Sequence, residues 1–277
     1  MRLHVLSDLH LEFSPFTPSI PADADLVVIA GDTLPKGHAA SWVSANIDRR
    51  TILIGGNHDC YRTSVQRAQR VMSRDAAAHV HLLENKTHVH QGVRFLGCTG
   101  WTDFKATGSQ RQAMDRAASE MNDYRMIRME PGYRKLRPAD TQALAEASKA
   151  WLLEQVSTPF NGKTVVVTHT CPLVELLPED RDRDHLDAAY TNDWLEFLTC
   201  KIDLWIFGHT HFALDRTING IRLRIPRHSD TQPTLIRTPV PRSFGQAVEA
   251  QRRRGGIVSP RCPASSISSP VCASTHP

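Results

Sequence analysis

The chain has 277 residues, 40% hydrophobic and 22% charged, a globular balance that excludes a disordered or fibrous protein as a whole and can form a core without disulfide staples. No apolar run approaches the ~20 residues of a membrane helix, the opening Met1–Asp8 has no secretory h-region, and six cysteines without C-x-x-C spacing point to reduced thiols in the cytoplasm. The net charge of +4 is unevenly spread: residues 221–277 hold nine arginines against two acidic residues, which leaves 1–220 negative by three and weakens the case for a nucleic-acid partner of the main domain.

Taken in chain order, short apolar runs recur, and each delivers polar residues at its C-terminal end. Leu3–Ser7 leads to Asp8 and His10, Leu26–Ala30 to Gly31 and Asp32, and Thr51–Ile54 to Gly56, Asn57, His58 and Asp59. A helix is predicted over 62–76. Val93–Gly97 reads as a strand, with Asp103 just beyond it. A second helix is predicted over 109–128, where Met114, Ala117, Ala118, Met121 and Tyr124 recur three or four apart. A third covers 138–156, opening with Pro138 and with Asp140 in its first turn. The block 101–150 is longer than a simple crossover needs and reads as a helical insertion near the site or as a structural crossover pair.

Further on, Thr164–Thr168 leads to His169, a fourth helix is predicted over 187–200, and Leu204–Phe207 leads to Gly208, His209 and His211. Ile218–Ile225 suggests a hairpin turning at Asn219-Gly220. The main domain is therefore set at 1–225. Residues 226–277 hold eight of the 17 prolines and eight serines without periodicity, which suits a disordered or loosely attached tail, or a shifted reading frame. Continuous apolar runs of this kind are strands buried on both faces, and the carboxyl edge of such a sheet is where ligands bind.

The five strand ends together spell D-x-H, G-D, G-N-H-D, H and G-H-x-H. In this order and over residues 1–211, the set resembles the calcineurin-like metallophosphoesterases. The resemblance implies an α/β fold, a four-layer αββα sandwich of two mixed sheets flanked by helices, and a phosphoesterase that uses two divalent metal ions. By motif, one ion takes Asp8, His10, Asp32 and His211, and the other takes Asp32, Asn57, His169 and His209. His58 falls on the proton donor, Asp59 on the acid that orients it, and Asn57 and His58 also meet the substrate. The ions are manganese or an iron–manganese pair by resemblance, with zinc or cobalt as alternatives. A hydroxide held between them attacks phosphorus.

Beside the resemblance stands the chemistry of the residues. Imidazole nitrogen with carboxylate and carboxamide oxygen, and no thiolate, suits first-row divalent ions. Asp8 and His10 are two apart, so on an extended chain they point the same way and can chelate one ion. Two divalent ions balanced against Asp8, Asp32 and a hydroxide leave the centre about one charge positive, which favours a phosphate ester over a neutral ester. Small molecules or nucleotides rank ahead of a duplex, for which residues 1–220 offer no basic groove. Asp103 and Thr170, the latter standing where relatives often carry a second histidine, are further candidates for substrate contact. Arg125 and Arg128 either hold a second phosphate or form a solvated helix face. His79, His81, His88 and His90 read as surface histidines, and Cys60 and Cys171 as small buried hydrophobes. A non-catalytic interaction module keeping the same fold is the alternative function.

Overall fold

The computed structural model describes residues 1–178 and 183–226; the tail expected at 226–277 lies, beyond Pro226, outside them. Strands β1 (Leu3–Leu6), β2 (Leu26–Ala30), β3 (Thr51–Ile54) and β4 (Val80–Leu82) form a four-stranded sheet in that order, every neighbour parallel. Helices α1 (Ala39–Asn46) and α2 (Val65–Asp75) supply the β2–β3 and β3–β4 crossovers. Ser64 caps α2, its hydroxyl accepting from the Arg67 amide (3.1 Å).

The second sheet has six strands and is mixed. It comprises β5 (Lys86–His90), β6 (Val93–Gly97), β9 (Lys163–Val167), β10 (Leu204–Ile206), β11 (Leu214–Ile218) and β12 (Ile221–Ile225), in the spatial order β11-β12-β10-β9-β6-β5. Its centre is parallel, and an antiparallel hairpin closes each edge. The β11–β12 hairpin turns at Asn219 and Gly220, with φ of 48° and 82°, the left-handed pair that the sequence led one to expect.

Period-two alternation explains why there are four layers. Leu26, Val28 and Ala30 share one apolar cluster with Ile52, Ile54, Phe95, Val165, Val167 and Ile206, so the two sheets pack face to face. The intervening Val27 and Ile29 join Leu53 and the buried faces of α1 (Ala40, Val43) and α2 (Ala68, Met72). On the far side, Leu96, Val166 and Trp205 meet Leu152 and Val156 of α5 (Pro138–Ser157). Arg94 of β6 pins the end of that helix by donating to the carbonyls of Gln155 and Thr158, both at 3.0 Å.

Between β6 and its parallel neighbour β9 lie α3 (Gln110–Glu120), α4 (Asp123–Met126), the ribbon β7 (Arg128–Met129) and β8 (Arg134–Lys135), and then α5. Residues 138–150 thus belong to the helix that leads into β9. The helix expected over 109–128 breaks at Met121, whose backbone is extended, so that Asn122, Asp123 and Tyr124 turn inward.

The helix expected over 187–200 does not form. Two 3₁₀ turns, His185–Ala189 and Leu195–Thr199, flank a stretch whose amides serve other segments: Asn192 donates to the Cys171 carbonyl (2.9 Å) and Trp194 to that of Pro172 (3.0 Å). Tertiary hydrogen bonds here replace the helical ones. Among the described residues, no helix is long and apolar enough to cross a membrane.

Candidate metal centre

The loops after β1, β2, β3, β9 and β10 meet where the two sheets present their carboxyl edges, and they interlock through their backbones. His10 donates its amide to the Asp32 carbonyl (2.9 Å), Gly208 to His169 (2.9 Å), and Asp8 to Gly31 (3.1 Å). Asp8 Oδ1 accepts the His209 amide at 2.9 Å, and Asp32 Oδ1 accepts that of His58 at 2.8 Å. The Ser7 hydroxyl donates to the remaining oxygen of Asp8 at 2.6 Å.

Asp8 and His10 reach one cluster, but not along an extended strand. β1 ends at Leu6, and Asp8, His10, Asp32, His209 and His211 all have left-handed backbones, with φ between 45° and 67°. Such residues cost of order 1–3 kcal/mol each and collect at functional sites. Close approach fixes the glycines as well. A Cβ on Gly31, itself at φ 91°, would strike the imidazole of His169, and one on Gly208 would strike Ser7 Oγ.

Two groups of ligand atoms that share Asp32 result, and a third, His10, Glu12 and His58, lies beside them. Asp8, His10, Asp32 and His211 each offer one atom within 4.8 Å of the others, and so do Asp32, His169 and His209. Asn57 adds its Oδ1, 3.0 Å from His169 Nε2. All seven residues expected as ligands are therefore brought together, and Asp32, 1% exposed, belongs to both groups. Surrounding carbonyls select the ring nitrogens. His169 Nδ1 donates to the Ala30 carbonyl (2.8 Å) and His209 Nε2 to that of Ala189 (3.2 Å), leaving Nε2 and Nδ1 respectively for a cation. Asp32 Oδ2 is buried with no hydrogen-bond partner. A buried carboxylate oxygen without a donor costs about 1–3 kcal/mol or more, so this donor set fits a divalent cation.

The electrostatics agree. Burial, then the charge of His169, push His209 down to about 3, so its imidazole stands neutral. Burial also works against charge on His169, but Asp32 and Asp8 overcome it and raise that ring to about 10. Burial would raise the Asp32 carboxyl, yet the rings of His169 and His58 hold it well below the usual carboxylate range. A cation entering this cluster would replace the proton of His169, so binding weakens as pH falls.

His58 lies beside both groups, 6% exposed. Its ring stacks on Tyr61 at 4.1 Å between centroids and meets His10 edge-on at 4.4 Å. Nδ1 of His58 is 2.6 Å from Glu12 Oε1, which also faces His10 Nδ1 at 3.5 Å. Burial opposes the imidazolium, but Asp32 and Glu12 prevail and push His58 up to about 9. Glu12, held down to about 2 by hydrogen bonds from His10 and His58 against the effect of burial, is the acid that orients His58. It continues the alternation Asp8, His10, Glu12, the one trace of it in the sequence.

Asp59 does not play that part. Its carboxylate turns away and accepts four backbone amides: Gly56 (2.7 Å), Leu34 (2.9 Å), Asp32 (3.1 Å) and Thr33 (3.1 Å). The 3₁₀ turn His58–Cys60 sends the two neighbouring side chains in different directions. Asp59 fastens the Gly31-Asp32 loop to the Asn57-His58 loop. Replacing it with alanine is expected to cost at least about 3 kcal/mol, since each buried amide left unpaired costs about 1–3. A denaturation midpoint equal to that of the wild type would refute this role.

Asp123, at the start of α4, is a second residue the motifs did not show. Its Oδ1 accepts from Asn57 Nδ2 (3.0 Å) and from the Tyr61 hydroxyl (2.8 Å), which turns the Asn57 carbonyl toward His169. Asp123→Ala is expected to weaken cation binding about 10–100-fold, the usual effect of losing such a partner, as measured by metal titration.

The two extra candidates for substrate contact are held by other groups, although Thr170 lines the cavity beside Asn57, His169 and His209. Asp103, 2% exposed, accepts from the Lys105 amide (3.0 Å) and from Trp194 Nε1 (3.3 Å), and the Thr170 hydroxyl donates to the Gly100 carbonyl (2.8 Å). Arg125 and Arg128 donate to backbone carbonyls of their own segment. His79, His81, His88 and His90 stay apart from the centre, as expected, but are half-buried, with His81 stacked on His88 at 3.9 Å. Cys60 and Cys171 are buried thiols.

A family model of calcineurin-like phosphoesterases matches residues 1–213. The chain belongs to this family. It is 24% identical over 149 residues to an uncharacterised protein of Acanthamoeba polyphaga mimivirus, a match over 50% of this chain and 51% of the relative, so it spans about half of that relative's length. Among solved structures, the phosphopantetheinyl hydrolase of Mycobacterium tuberculosis shares the fold, with a TM-score of 0.62 and 17% identity over 80% of this chain and 87% of that one.

Proposed function

We propose that the protein is a binuclear-metal phosphoesterase acting on phosphodiesters or phosphomonoesters of small molecules or nucleotides, with manganese or an iron–manganese pair as its ions and zinc or cobalt as substitutes. The observation that carries this reading is the sharing of Asp32 between two ligand groups. Asp8, His10, Asp32 and His211 would hold one ion, and Asp32, Asn57, His169 and His209 the other. When bound, the ions would supply Lewis acidity toward a phosphoryl group and toward water.

The chain's own residues do the rest. Glu12 accepts from His58 Nδ1, which leaves Nε2 free to give a proton to the departing oxygen. Asn57 spends one N–H on Asp123 and keeps its second for a phosphate oxygen. Asp59 keeps the loops in register. The four described cysteines are free thiols, which suits the cytoplasm. The negative balance of residues 1–220 favours small esters over a duplex.

The test combines elemental analysis with turnover of bis-p-nitrophenyl phosphate and p-nitrophenyl phosphate. Hydrolysis that a chelator abolishes and manganese restores is expected. Full activity after exhaustive chelation would sink the reading.

A further inference from the structure

Beside the paired ligand groups, the turn after His10 places an aromatic ring in the open. The Phe13 amide donates to the His10 carbonyl at 2.9 Å, closing a tight turn over residues 10–13. Leu9 and Leu11 on this segment pack toward the core, whereas Phe13 remains 45% exposed. Its ring lies 5.9 Å from that of His10 and 6.2 Å from that of His58, centroid to centroid, and meets His58 edge-on at 71°. The other large apolar side chains exposed among the described residues are Met1, Val89, Tyr133 and Leu195. None of them has a ring contact with the centre among the described residues.

Two further observations give this exposed ring a purpose. The first is position. Glu12 holds His58 by Nδ1, so the proton leaves from Nε2, and the group that receives it is the alcohol half of the ester. An exposed ring 6.2 Å from that of His58 stands beside the donor of that proton. The second is charge. Asp8, Glu12 and Asp32 form ion pairs with histidines, and among the described residues no lysine or arginine is paired with them. Arg125 and Arg128 are likewise committed to carbonyls of their own segment. The contact that Phe13 offers to the alcohol is apolar.

We propose that Phe13 is a specificity-determining residue that stacks against the leaving alcohol, so that the enzyme prefers esters whose leaving group carries a flat aromatic ring. The proposal rests on the phosphoesterase function above and names its substrate class. Aromatic pairs prefer offset or edge-to-face contact at 4.5–7 Å between centroids, and bases stack on aromatic side chains in the same manner.

The experiment compares phenyl phosphate with glycerol 2-phosphate in the manganese-loaded wild type, Phe13→Ala and Phe13→Trp. Its readout is the ratio of kcat/KM for the aryl ester to that for the glyceryl ester, in which the differing reactivities of the two esters cancel between variants. The ratio is expected to fall about five- to tenfold in Phe13→Ala and to return in Phe13→Trp. An unchanged ratio in Phe13→Ala, or an equal fall in both variants, overturns the proposal while leaving the phosphoesterase function intact. A wild type that turns over bis-p-nitrophenyl phosphate but neither monoester overturns this proposal alone, and one that turns over none of the three overturns the phosphoesterase function with it.

Discussion

Asp32→Ala is expected to remove both ions and, with them, turnover. Asp32 is the member common to the two ligand groups, and its second oxygen is a buried carboxylate atom with no donor. Its loss deprives each ion of an anionic ligand and removes the acceptor of the His58 amide as well. Lewis-acid stabilisation is worth several kcal/mol, and each 1.36 kcal/mol is a factor of ten. A fall of at least about 10³-fold in kcat is therefore expected, together with a metal content below one ion per chain. Retention of two ions by this variant would show that the bridging assignment is wrong.

The second large effect belongs to His58. His58→Ala is expected to keep its ions, since the ring lies outside both groups, yet to slow turnover by roughly 10²–10⁴-fold, the range for a general acid. The loss should be greatest for alkyl esters and small for p-nitrophenyl esters, whose leaving group departs as a stable anion. Glu12→Gln should give a smaller loss with the same leaving-group dependence, because a neutral oxygen accepts more weakly than a carboxylate. A loss equal for both kinds of ester would reassign His58 to binding.

The contrast between Asp59 and Glu12 shows what the sequence could and could not display. The strands were legible because Leu26–Ala30 and Thr51–Ile54 are apolar at every position but the first of the latter, which is what burial on two faces requires. The candidate ligands were legible because each follows such a run closely. What local pattern does not encode is direction. Asp59 adjoins His58 in the chain, yet a 3₁₀ turn aims it at four amides, while Glu12 comes back from 46 residues earlier. Asp123 lies 66 residues from the Asn57 it holds, so only tertiary folding pairs them. The absent helix at 187–200 has the same origin: its apolar spacing was right, but its amides were taken by Cys171 and Pro172.

The interlocked loops carry one more consequence. Asp8 spends one oxygen on the His209 amide and the other on Ser7, and Asp32 spends one on His58. These bonds run between the chain's own groups, so the polypeptide itself shapes the socket. In zinc fingers, by contrast, removing the metal melts the domain. Stripping the ions here should silence the protein while leaving its architecture standing, ready to be refilled.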